Sequence, residues 1–131
     1  MFLSSFILDF LKFMGASVRK SVLADEQNVN IHSLVWLDAS VNATSENINV
    51  QQQLRTLIDN FEAFENTNDC FNYIRHIPKQ NRILLVVSGR LGREIVPRIH
   101  RLKQVLSIYV YCMDKQKNEI WAQKYPKVNE V

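Results

Sequence analysis

The segment Ser88-Gly89-Arg90-Leu91-Gly92-Arg93 holds the densest group of residues that could do chemistry. Glycines let backbone N–H groups approach a phosphate, a helix N-terminus favours the anion, and Arg90 with Arg93 could clamp it. The segment lacks the Gly-Lys-Ser/Thr of a Walker loop and the spacing of a GxGxxG fingerprint. Its plainer reading is a strand-to-helix turn whose glycines supply backbone freedom. Ser88 as a nucleophile would need an adjacent base and an oxyanion hole. Val86 stands where the first glycine of a GxSxG elbow belongs, which argues against a hydrolase. Asp38 reads either as a base or metal ligand or as an ordinary polar strand end. Hard cations want several oxygens, and no second carboxylate adjoins it in sequence.

His32, His76 and His100 have no metal-ligand spacing with Cys70 or Cys112, so neither a metal nor a cofactor is expected. Two cysteines cannot build a disulfide framework, which fits a reducing compartment and a cytoplasmic protein. Both thiols read as small buried hydrophobes, with Cys112 the one at a strand mouth. Tyr109 and Tyr111, two apart in a strand, must share a sheet face.

Charge is unevenly spread. Residues 1–65 carry 4 Lys/Arg against 8 Asp/Glu, whereas residues 66–131 carry 12 against 5. The excess peaks at Arg90, Arg93, Arg98, Arg101 and Lys103, opposed there only by Glu94. Such a cluster could meet phosphates, acidic lipids or an acidic partner, or be a solvated face. No RRM, KH or helix-turn-helix signature accompanies it, so nucleic acid is disfavoured.

The elements that would position these residues follow from hydrophobic spacing. At 131 residues, 47% apolar and 22% charged, the chain is long enough for one core and too short for two. Residues 1–24 carry Phe2, Leu3, Phe6, Phe10, Phe13 and Met14 at 3–4-residue spacing, interrupted by Asp9 and Lys12. The run is too broken to span a bilayer and has no basic side chain before Lys12, as a secretory signal would. It reads as an amphipathic helix docking on its own domain, a partner or a membrane surface through residues 2–14.

Beyond it, Ile31–Leu37 reads as a buried strand, and Val50, Leu54, Leu57, Ile58 and Phe61 form a helical stripe with a capping box at Asn49 and Gln52. Phe61–Phe64 is an edge strand or a helix end. Thr67-Asn68-Asp69 caps a second helix that Pro78 stops. Arg82–Val87 is a strand covered on both faces, Pro97 opens a third helix, and Ser107–Met113 is another strand. A last helix precedes Pro126, with Lys127-Val128 starting a final strand. This alternation predicts an α/β domain over residues 31–131: a three-layer flavodoxin-like sandwich with a mostly parallel five-stranded sheet. In such sheets ligands and partners meet the carboxyl ends of the strands, here Asp38, Ser88 and Cys112.

The segments LVWLD, ILLVVS and IYVYC, followed by a late lysine, resemble a receiver domain of the response-regulator type. The stretch from VWLD to SIYVYC is also similar to α/β modules found at the front of larger eukaryotic proteins. A receiver would carry paired acids after its first strand, a phospho-accepting Asp after its third, a Ser/Thr after its fourth and a Lys after its fifth. This chain keeps Asp38 followed by Ala39, has Ser88 at the acceptor position, Tyr111-Cys112 after the fourth strand, and Lys127 near the last position. The resemblance therefore implies a pseudo-receiver without phosphotransfer. The expected function is a non-catalytic protein-interaction or regulatory module, part of a larger protein, with a protein as partner. The first alternative is binding of a phosphorylated small molecule or nucleotide at Asp38, Ser88, Gly89, Arg90, Gly92 and Arg93. The second is an electrostatic surface at Arg98, Arg101 and Lys103 for nucleic acid or acidic membrane.

Overall fold

A computed structural model describes residues 33–58, 60–111 and 115–130. The expected N-terminal amphipathic helix, together with His32 and Cys112, lies outside the described residues. Strands β1 (Ser33–Leu37), β2 (Phe61–Phe64), β3 (Ile83–Ser88), β4 (Val105–Tyr111) and β5 (Val128–Glu130) alternate with helices α1 (Ser45–Leu57), α2 (Thr67–His76), α3 (Gly89–Ile99) and α4 (Lys115–Ala122). Sheet order is β2-β1-β3-β4-β5, and every pairing is parallel. The body is the first four of these. The fifth is a three-residue edge addition, paired through Ile108↔Val128 and Tyr109↔Glu130. The domain is α/β and its layout is consistent with a flavodoxin-like one. Crossovers leave β1 toward β2 and β3 toward β4, so the chain reverses its direction across the sheet between β1 and β3.

The pleat of the central strands divides the core in two. Val35, Leu37, Ile83, Leu85, Val87, Ile108 and Val110 face Cys70 and Ile74 of α2, the apolar side of α3, and Trp121 and Ala122 of α4. Leu34, Trp36, Leu84, Val86 and Tyr111 face the other way, toward Val41 and toward Val50 and Leu54 of α1. Tyr109 packs against this second cluster, so the two tyrosines share a face as their spacing requires. Strands buried on both sides explain the unbroken apolar runs of β1 and β3.

Several local expectations are corrected. Thr44 caps α1, its hydroxyl accepting from Asn47 N at 3.0 Å, and Asn49 and Gln52 lie inside the helix. Asn66 caps α2 by accepting from Asp69 N at 2.9 Å, one residue before the expected cap. The cap is the residue whose extended backbone frees its side chain to fold back, and both Thr44 and Asn66 are extended. Pro97 does not open α3 but lies in its last turn. Arg93 and Pro97 are both exposed, so the carbonyl deprived of its partner can turn to water.

The largest correction concerns residues 88–93. They form no loop: Ser88 ends β3 and is the N-cap of α3, which starts at Gly89. Among the described residues no glycine has a positive φ, so backbone freedom is not what Gly92 supplies. A Cβ there would stand 3.3 Å from both Trp121 Cη2 and Val87 Cγ1. The glycine lets the start of α3 lie close against β3 and the indole of α4.

Candidate functional site

The carboxyl ends of β1, β3 and β4 bring together Asp38, Ser88 and Tyr111, with Ser88 and Tyr111 in register. Asp38 is anchored by its backbone, whose N–H donates to Phe64 O at 3.0 Å while its carbonyl accepts from Val41 N at 3.0 Å. Its Oδ1 accepts from Ser40 N at 2.8 Å, turning the chain after β1. Its Oδ2 accepts from the Tyr111 hydroxyl. That hydroxyl in turn accepts from the buried Trp36 Nε1 at 2.7 Å. The result is a chain of donors, Trp36 to Tyr111 to Asp38, crossing the sheet from β1 to β4.

Burial pushes the Tyr111 phenol well above its ordinary value, and the neighbouring Asp38 charge and hydrogen bond push it further, opposed in part by Trp36. Tyr111 therefore stays a donor across the physiological range, and one carboxylate oxygen of Asp38 accepts from it. The sequence marked Asp38 and the Tyr109/Tyr111 pair separately. Nothing in it joined residues 73 positions apart.

Around Ser88, the candidate residues separate. Gly89, Leu91 and Gly92 are buried, while Arg90 and Arg93 are exposed on the first turns of α3. The Ser88 side chain makes no capping bond and the first turn holds no acid. The basic cluster is likewise divided. Arg98 donates to Asn68 Oδ1 at 3.1 Å and lies 5.6 Å over the Phe71 ring, so it joins α3 to α2. Beside it, Glu94 accepts from Thr67 Oγ1 at 2.7 Å. Arg101 and Lys103 are exposed beyond the far end of α3, before β4. An 11-residue helix separates them from Ser88 by roughly 16 Å. Lys127 does not match a receiver's last lysine. It precedes β5 and donates to Leu102 O at 2.8 Å, at the opposite end of the strands from Asp38.

Other titratable groups have structural tasks. His76 Nδ1 lies 2.7 Å from Asn72 O within α2, and the His100 ring meets Tyr125 edge-on. Cys70 is fully buried, and burial pushes its thiol up from 9.0 to about 12, the reverse of what a nucleophile needs. Among the described residues, no three His, Cys, Asp or Glu side chains are grouped to hold a metal. None of the described helices is long and apolar enough to cross a membrane. A cavity of about 260 Å³ beside β2 is lined by Arg55, Ile58, Asn60, Phe61, Glu62 and Tyr73. Sequence reasoning missed it because its walls come from three elements. Arg55 braces it, donating to Phe61 O at 3.0 Å and stacking 5.1 Å over that ring.

The raised thiol makes stability pH-dependent. The native state holds the Cys70 proton more tightly than the unfolded chain, so this contribution is complete below pH 9 and is lost as pH climbs toward 12. The expected slope is about 1.4 kcal/mol per pH unit for a single group. Tyr73 and Tyr111, also raised, act with the same sign at higher pH, and the lowered Lys127 acts against it. Denaturant midpoints measured from pH 8 to 10 should fall less steeply for Cys70→Ala than for the parent. Parallel curves would remove the thiol from this account.

Compared with protein families, curated proteins and solved structures, the chain matches none.

Proposed function

We propose that this chain is a non-catalytic protein-interaction or regulatory module, a flavodoxin-like pseudo-receiver acting in the cytoplasm as part of a larger protein. One observation carries the reading: Asp38, the acid that follows β1, is taken up by Tyr111 and by its own turn. A phosphotransfer centre needs several free carboxylate oxygens around a divalent cation. Here Ser88 stands at the end of β3 and the Tyr111 ring at the end of β4. The reduced, buried Cys70 fits the cytoplasm. The test is a thermal-shift series with Mg²⁺ plus beryllofluoride, nucleotides, NAD and phosphosugars. No shift is expected. A rise of several degrees with Mg²⁺ and beryllofluoride together, absent with either alone, would overturn the reading.

A second reading has its own support. The α3 N-terminus carries no side-chain cap and no acid, and two exposed arginines flank it. That combination suits an anion such as a phosphorylated small molecule. A thermal shift with a phosphorylated compound that vanishes in the Arg90→Ala/Arg93→Ala double variant would favour it over the first. Against a role for the glycines, Gly92 is already occupied by Trp121.

A further inference from the structure

Helices α2 and α3 pack side by side, and the contacts between them advance along both in step. Thr67 donates to Glu94 at 2.7 Å. One turn on along α3, Arg98 donates to Asn68 Oδ1 at 3.1 Å and lies over the Phe71 ring. A further turn reaches Arg75 on α2 and Arg101 just past α3. The seam between the helices is therefore polar and engaged at its start and cationic at its end. Glu94, held by Thr67, is the one acid in the sequence between Cys70 and Met113, a stretch with eight lysines and arginines.

The Phe71 ring carries two guanidinium groups, Arg75 at 5.7 Å and Arg98 at 5.6 Å from its centroid. Cations in the last turns of α2 and α3 offset the partial negative charge of those helix ends. That task alone leaves an arginine free to swing through water. Here one half-buried ring, itself packed on the first core cluster, seats both. Each guanidinium is a planar fork of five N–H donors that matches a carboxylate, and Arg98 commits one of its five to Asn68. Both side chains are exposed, so a seated pair of forks stands at the surface.

The seam lacks what other anionic partners would use. Its aromatic ring is already taken by the two guanidinium groups, which leaves no open platform for a nucleic-acid base. Among the described residues the exposed large hydrophobics, Ile48 and Ile120, lie on α1 and α4, so none stands beside these arginines to enter a bilayer.

We propose that the cationic end of the α2–α3 seam, at Arg75, Arg98 and Arg101, docks an acidic segment of a partner protein, whose Asp or Glu carboxylates the seated arginine forks receive. This rests on the reading of the chain as a protein-interaction module, and names the surface and the kind of partner.

The test uses the full chain and a fluorescein-labelled oligoglutamate peptide, followed by anisotropy. Arg75→Gln/Arg98→Gln should weaken binding about tenfold or more. Lys117→Gln/Lys124→Gln removes the same charge from α4 and the turn after it, and should change binding less than about twofold. Phe71→Leu keeps every charge and should weaken binding several-fold by unseating the forks. In the parent chain, the Arg75 and Arg98 Nε–H resonances should shift when peptide is added, and that of Arg55 should not. Equal losses in the two charge-removing variants would overturn the proposal, because net charge alone would then account for the binding. So would unmoved Arg75 and Arg98 resonances, a result that needs no variant to fold. An oligothymidylate or phosphatidylserine vesicles bound more tightly than the peptide, through the same two arginines, would also overturn it and give the surface to nucleic acid or membrane. Failure of the module reading shows itself separately, as a thermal shift with Mg²⁺ and beryllofluoride.

Discussion

Replacing Trp36 by alanine is expected to cost about 3–5 kcal/mol, the largest loss at any position around the strand mouths. Its side chain is among the largest of those wholly buried and lies in the second cluster with Leu34, Leu84 and Val86. Removal leaves a void within that cluster. It also takes away the donor that Tyr111 Oη accepts from. Tyr111→Phe separates these two effects. It keeps the ring and removes the hydroxyl, orphaning Trp36 Nε1 and exposing one Asp38 oxygen to water, for about 1–3 kcal/mol. Urea unfolding of the two variants measures both. Equal losses would mean that the hydrogen-bond chain, and not packing, holds this corner. No loss from Tyr111→Phe would mean that the Asp38 latch is dispensable, and with it the argument that the acid is unavailable for other chemistry.

Gly92→Leu should destabilise by about 1–3 kcal/mol even though leucine is the better helix former. The new side chain begins 3.3 Å from Trp121 Cη2 and from Val87 Cγ1, both inside the first cluster. The indole can yield only by giving up its place and its 2.9 Å bond to Asn118 Oδ1. A red shift in tryptophan emission should accompany the loss. Trp36 lies on the other side of the sheet, so Trp36→Phe as background isolates the signal of Trp121. A stable Gly92→Leu protein with unshifted emission would show that α3 and α4 can separate freely, and would return Gly92 to the set of candidate ligand residues.

These two positions also show how far the sequence could be read. Period and composition sufficed for the helices and strands that bury a continuous side. RILLVV is a strand closed in on both faces; of the expected stripe from Val50 to Phe61, Val50, Leu54 and Leu57 lie on α1, whereas Ile58 is its extended C-cap and Phe61 begins β2. Punctuation misled where a residue was chosen by something distant. Gly92 reads as a turn residue in isolation, but Trp121, on another helix, dictates it. Pro97 reads as a helix start, yet α3 already runs from Gly89, because β3 passes into it without a connecting loop. The basic run from Arg90 to Lys103 is contiguous in sequence, but a helix distributes it over two ends and a flank. At the strand mouths Asp38 was legible as a polar terminus. Its engagement with Tyr111 was not, since only the β1-β3-β4 order places those strand ends within reach.

That order has a kinetic consequence. β1 is a central strand whose neighbours are both made later, and its partner along Ser33–Leu37 is Ile83–Val87. A growing chain released only as far as α2 holds Leu34, Val35, Trp36 and Leu37 with one side of the backbone ladder empty. Closing a pairing so distant in sequence costs chain entropy before any contact repays it, which makes high-contact-order parallel sheets slow to form. The interval before β3 emerges is therefore when this protein is most exposed to aggregation, and its folding rate is set by the β1–β3 closure more than by any helix.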